Sequence, residues 1–182
     1  MTATADRYRQ LTAGFTARVE SVPDDRWASQ SPCEKWTARD VVRHMVTTSG
    51  FFFGLVGRSM PAGPSVDDDP GAAWAAARDA VQAGLEDPEM ASLEFDGFAG
   101  PQTFEQAINR FVCADVLVHT WDLARAAGLD ERLDAGAVHE IFEAMKPMEE
   151  MMRSSGEFGE RVDVPDDADE QTRLLAFLGR RA

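Results

Sequence analysis

The stretch FVCADVLVHTWDLARAAG puts an acid and an imidazole where a packed helix ought to be apolar. Around it, from about Thr103 to Ala127, hydrophobic residues recur at three- and four-residue intervals, and Gly128 stands where a helix C-cap belongs. At about 100° per residue, Phe104, Ile108, Phe111, Asp115, Val118, His119 and Asp122 fall within an arc of roughly 80–100°. Such a stripe has to be covered by other elements, which constrains the chain to a packed helical architecture. It also has to accommodate Asp115, His119 and Asp122 on the covered face. Burying an ionised carboxylate is costly unless a cation or several hydrogen bonds compensate it, so the pattern points to a bound metal or a tightly paired polar network.

The remaining segments supply the covering helices. Tyr8, Leu11, Phe15, Val19 and Val22 give an amphipathic helix over about Thr4–Val22, ended by Pro23. Thr37 is the expected N-cap of a second helix over about Ala38–Gly57, with Asp40 in the capping-box position. Residues 59–71, rich in proline, glycine and acids, read as an exposed loop. An alanine-rich helix follows over about Ala72–Leu85, and Asp87–Gln102 reads as irregular, the brief alternation in SLEFDGF being too short to build a sheet on. Past Gly128, one helix begins at Asp134 and is interrupted or ended near Pro147, and another spans about Ala168–Leu178. The expected fold is all-α, a four-helix bundle with additional short C-terminal helices, in a single domain over residues 1–182.

Charge and composition remove several functions. The formal net charge is −14, which opposes nucleic acid and anionic membranes, since both are bound through cationic side chains. No stretch reaches the ~18 apolar residues needed to span a bilayer, and MTATADRYRQLTAGF lacks a signal-peptide pattern, so a cytoplasmic location is expected. Cys33 and Cys113 are too few for a disulfide framework and form no CxxC pair, so each reads as a structural thiol.

His44 lies in the second helix on a wheel face with Val41, Thr48, Phe51 and Leu55, a face expected to be mostly buried. An aspartate at i and a histidine at i+4 project side by side, and a histidine from a facing helix adds a third donor. His44, Asp115 and His119 are therefore candidate ligands of a divalent ion such as zinc, at about 2.0–2.2 Å, with an open position of the kind catalytic sites keep. Asp122, three residues past His119, is placed to hold that ring by its other nitrogen, or else to pair with Arg125 or Arg43.

The segments SPCEKWTARDVVRHMV, ADVLVHTWDLARAAG and LLAFLGR resemble the DinB/YfiT-like metalloprotein superfamily, in the actinobacterial branch related to the metal-binding domain of mycothiol-dependent maleylpyruvate isomerase. The resemblance implies a four-helix bundle with an inward-facing triad that binds zinc or nickel, its roles falling on His44, Asp115 and His119. It differs in one ligand, since the isomerase has glutamate where this chain has Asp115. The isomerase also carries a further C-terminal domain, and with the sequence ending at Ala182, isomerisation of maleylpyruvate is not expected.

The expectation is then a metal-binding protein, a mycothiol-dependent metalloenzyme of transferase type that activates the thiol at the open metal position for an electrophile. Its partners would be those two small molecules, with no nucleic acid and no membrane, and a homodimer is compatible with the fold. No catalytic residue beyond the ligands is assigned. The alternatives are a hydrolase working through metal-bound water, a non-catalytic metal-binding or interaction protein, and a metal-free His–Asp network. Trp36 and Trp121 either wall the site or pack the core, Trp27 and Trp74 read as packing residues, His139 as a surface residue, and Asp67, Asp68 and Asp69 as solvated loop charge.

Overall fold

The computed structural model describes residues 2–97, 100–154 and 159–181. Helix α1 spans Ala3–Ser21, with the Thr2 side chain accepting from the Ala5 N–H. Its Tyr8, Leu11, Phe15 and Val19 are buried, as their spacing predicts, and Val22 turns extended ahead of Pro23, where the proline ring disfavours a helical neighbour. Helix α2 spans Ala38–Leu55 and opens on a complete Thr37/Asp40 capping box. Helix α3 spans Pro70–Glu86, two residues earlier than the alanine pattern indicates, because Asp69 caps it and Pro70 takes the first position, where no N–H is needed.

The 87–102 segment is more regular than its sequence indicates. A turn of helix, α4, covers Pro88–Ala91, and β1 (Glu94–Gly97) pairs antiparallel with β2 (Gly100–Thr103), Glu94 opposite Thr103. Strands of four residues offer too little alternation to be read against a helical background, and only their mutual pairing makes them strands.

The predicted long helix is present but interrupted. Helix α5 (Phe104–Ala107) runs into a π turn at Ile108–Val112 and then into α6 (Cys113–Ala127), closed by Gly128 at φ 71°. The i→i+5 bond from Cys113 N–H to the Ile108 carbonyl inserts an extra residue. Phe104 and Ile108 therefore do not share a uniform wheel with Asp115 and His119, and Phe111 is only half-buried.

Contacts divide the chain into two compact units, Met1–Glu131 and Arg132–Ala182. In the first, α1 packs on α3 and α6, and α2 packs on the same two helices, so α1, α3, α2 and α6 close a four-membered ring. The Trp74 ring of α3 meets Phe15 of α1 edge-on at 4.7 Å, and its Nε1 donates to Thr16 Oγ1 at 2.9 Å. Gly84 lets α3 pack closely, since a Cβ there would lie 3.2–3.3 Å from side-chain carbons of Phe104 and Met90. The architecture is all-α apart from the short strand pair.

In the second unit, α7 (Ala135–Met145) packs on α9 (Glu170–Phe177) through Phe142 and Phe177, ring centroids 5.6 Å apart. Asp134 and Asp169 cap these helices. At Pro147 the chain passes through a 3-10 turn, Lys146–Met148, into α8 (Glu149–Ser154).

Candidate metal centre

Three segments of the first unit converge on one point. Helix α2 carries His44, α6 carries Asp115, His119 and Asp122, and the loop before α2 carries Cys33 and Trp36. That loop is firmly built. Ser31 N–H donates to the Trp36 carbonyl at 2.8 Å, Trp36 N–H donates to the Cys33 carbonyl at 3.1 Å, and Gln30 Nε2 donates to the carbonyls of Ser31, Cys33 and Trp36. Lys35 sits at φ 66°, a left-handed conformation that costs a residue with a side chain on the order of 1–3 kcal/mol and persists where the surroundings enforce it.

His44 Nε2 lies 3.4 Å from Asp115 Oδ2, and the ligand atoms of His44, Asp115 and His119 all lie within 4.8 Å of one another. Two donors each about 2.0–2.2 Å from a tetrahedral ion stand roughly 3.3–3.6 Å apart, so the His44–Asp115 spacing is long for a hydrogen bond and suited to a shared cation. The two imidazoles meet edge-on with centroids 4.7 Å apart, and Trp36 lies against both, 4.8 Å from His44 and 5.8 Å from His119. Trp36 is thus a wall of the site. Trp121 is a core residue, 1% exposed, with the Arg125 guanidinium 5.3 Å from its ring centroid.

Burial falls differently from the wheel. The α2 core stripe is Val41, Val42, Met45, Ser49, Phe52 and Phe53, and His44 is rotated off it by one position. Its own stripe climbs out of the core: His44 and Thr48 are half-buried and Phe51 is 56% exposed. Asp115 is likewise 38% exposed at its side chain, almost alone on a helix otherwise buried nearly all round. The expectation of a buried Asp115 is therefore corrected: the cluster sits at the rim of the bundle, and water reaches its outer side.

The buried acid is Asp122, with no exposure at all. Its Oδ2 lies 2.8 Å from His119 Nδ1, and an ionised carboxylate there accepts from the Nδ1–H tautomer, leaving Nε2 as the ring nitrogen open to an ion. The ion pairs of Arg43 go to Asp40 and Asp67, and that of Arg125 goes to Glu131.

Cys33 is the residue that sequence reasoning missed. Its Sγ lies 3.5 Å from Asp122 Oδ2, and Cys33, His119 and Asp122 form a second group of donor atoms within 4.8 Å of one another. Nothing in the spacing of the sequence links Cys33 to Asp122; only the packing of the loop on α6 does. Cys113 is the structural thiol expected, buried, its pKa pushed up to about 12 by desolvation. Of the loop acids, Asp67 pairs with Arg43, which holds its carboxyl below the usual range, and Asp69 caps α3. His139 lies on the surface beside Glu170 and belongs to a third donor group with Glu143 and Glu170.

Fold and site together define a helical-bundle protein with a His–carboxylate cluster at the rim of the bundle. The chain belongs to the mycothiol maleylpyruvate isomerase N-terminal domain family, a DinB/YfiT-like family whose model matches residues 8–124, from α1 through most of α6. It is also similar to two proteins of Mycobacterium tuberculosis, Uncharacterized protein MT0763 of strain CDC 1551 / Oshkosh and Uncharacterized protein Rv0738 of strain ATCC 25618 / H37Rv. Each is 30% identical over 189 residues, covering 95% of both chains. No solved structure matches the chain significantly. Among the described residues, no helix is long and apolar enough to cross a membrane.

Proposed function

We propose that the protein holds a divalent transition ion, zinc or nickel, on His44, Asp115 and His119, and works as a mycothiol-dependent metalloenzyme that transfers the thiol to an electrophile. The reading rests above all on the 3.4 Å separation of His44 Nε2 and Asp115 Oδ2, beside a His119 ring held by Asp122. The family's link to mycothiol supports the choice of thiol. Such an ion, when bound, supplies a Lewis-acidic position at which a thiol sheds its proton and becomes nucleophilic at neutral pH.

The chain's own residues do the positioning. Asp122 accepts the Nδ1–H of His119 and so keeps Nε2 unprotonated and available to an ion. Trp36 packs against both imidazoles and walls that side. His44 and Asp115, with side chains 28% and 38% exposed, form the open side, where a thiol and its electrophile arrive.

Elemental analysis of protein purified without added metal, then of protein reconstituted with zinc or nickel, is the primary test. Near-stoichiometric metal that is lost in His119→Ala and bound more weakly in His44→Ala is the expected result. Less than roughly a tenth of an equivalent after reconstitution overturns the reading. Mycothiol binding by calorimetry to the loaded protein, absent from the stripped protein, tests the thiol half.

A further inference from the structure

We infer that Cys33, Asp122 and Nδ1 of His119 form a second, inner metal position that takes a thiophilic divalent ion such as zinc or cobalt. It goes beyond the function proposed above and shares with it the His119 ring and Asp122.

Three observations carry it. Asp122 is fully buried, and its Oδ2 faces an imidazole nitrogen at 2.8 Å and a thiol sulfur at 3.5 Å, both of which are metal donors once deprotonated. For a tetrahedral ion with bonds of about 2.3 Å to sulfur and 2.1 Å to oxygen, the sulfur–oxygen edge is roughly 3.6 Å, close to the Cys33–Asp122 separation. The nitrogen–oxygen edge has to open from its hydrogen-bonded length by roughly 0.6 Å, a small rotation of one side chain. The sulfur is also delivered deliberately: it sits on the turn in which Lys35 adopts a left-handed conformation and whose carbonyls Gln30 ties together.

The donor sets differ in kind. The outer group offers two imidazoles and a carboxylate, whereas the inner one offers sulfur, nitrogen and oxygen, and sulfur biases a site toward zinc, cobalt and copper over magnesium or calcium. Each position needs the opposite tautomer of His119. Seating an ion on the inner set releases the Cys33 thiol proton to solvent, breaks the Nδ1–H···Oδ2 hydrogen bond, forms bonds to Sγ, Nδ1 and Asp122 Oδ2, and moves the ring proton from Nδ1 to Nε2, with no electron transferred. The outer and inner positions are therefore alternatives for one ion, and the tautomer of a single ring selects between them.

Cobalt(II) titration of the full-length chain tests this, because a cobalt–thiolate bond adds a charge-transfer absorption that nitrogen and oxygen ligands do not. The double variant His44→Ala/Asp115→Ala, checked for folding by circular dichroism, is expected to bind cobalt stoichiometrically with that absorption. Adding Cys33→Ser is expected to remove both the absorption and the bound ion. A double variant that binds no cobalt, or binds it without the thiolate band, overturns the inner position. Should the double variant fail to fold, His44→Gln is titrated in the same way and judged by the same band. Cys33→Ser alone separates the two readings: cobalt retained without a thiolate band upholds the outer triad whatever the double variant does, and loss of all cobalt shows that the outer triad does not hold it.

Discussion

Each of the two units brings histidine and carboxylate donors within reach of one ion, and the surroundings differ. In the first unit, His119 is 7% exposed at its side chain, its Nδ1 is held by a fully buried Asp122, and a second imidazole and an indole pack against it. In the second unit, His139 is 61% exposed, Glu170 shares its Nδ1, and Glu143 is occupied by Lys146, whose ammonium holds the Glu143 carboxyl below its usual range. In both, the donor atoms lie within 4.8 Å of one another. What separates them is support: one ring is held by a buried acceptor before any ion arrives, and the other belongs to a solvated network in which Glu143 already pairs with Lys146. Proximity of donors is a weak criterion for a site, and a buried acceptor behind the ring is a stronger one.

The sharpest way to break this contrast is to delete each histidine. His119→Ala leaves Asp122 buried without its imidazole, and the metal-free protein is expected to lose about 3 kcal/mol in urea unfolding. His139→Ala, an exposed pair member, is expected to leave the midpoint unchanged. Equal losses would mean that burial does not distinguish the two groups. Metal addition gives the same contrast: zinc at about 100 times its dissociation constant is expected to stabilise the wild type and His139→Ala by about 2.7 kcal/mol, and His44→Ala by much less.

A smaller effect is expected when the rings are kept and their acceptors changed. Asp122→Asn still fits its space but no longer enforces the Nδ1–H tautomer, so zinc affinity measured by chelator competition should fall about 10- to 100-fold. Glu170→Gln should leave it unchanged. An Asp122→Asn protein that binds zinc as tightly as the wild type would remove Asp122 from the account of the site.

Much of this was legible in the sequence because it is local. The three- and four-residue spacings of Tyr8, Leu11, Phe15 and Val19, the Thr37/Asp40 box and the Gly128 cap each depend on near neighbours, and each appears where the pattern puts it. The i, i+4 pairing of Asp115 with His119 is local too. What was not legible depends on contacts far apart in sequence or on a break in periodicity. The π turn at Ile108–Val112 shifts the phase of the helix without any residue that announces it. The rim placement of His44 and Asp115 depends on which neighbouring side chain takes the core position, so the wheel overstated their burial. The approach of Cys33 to Asp122 spans 89 residues and follows only from the loop folding over α6.

The smallest expected effects concern the ends of the helices that carry the two groups. Asp40 accepts from the Thr37 hydroxyl at 2.7 Å and the Thr37 N–H at 2.9 Å, and these bonds hold its carboxyl below the usual carboxylate range. Asp169, at the start of the helix that carries Glu170, is held low in the same way by the backbone and hydroxyl of Thr172. For both, the folded pKa lies below the unfolded value of about 3.9, so their contribution is present above that pH and is lost as pH falls through the folded value. Thr37→Ala is expected to cost about 1 kcal/mol at neutral pH. Asp40→Asn and Asp169→Asn should each lower the neutral plateau of the stability curve slightly and flatten its acid limb below about pH 4. Because α2 positions His44 through its first two turns, Thr37→Ala and Asp40→Asn should also weaken zinc binding slightly, and Asp169→Asn should not. If Asp169→Asn weakened zinc binding as much as Asp40→Asn does, the separation between a supported site and a solvated network would fail at its most sensitive point.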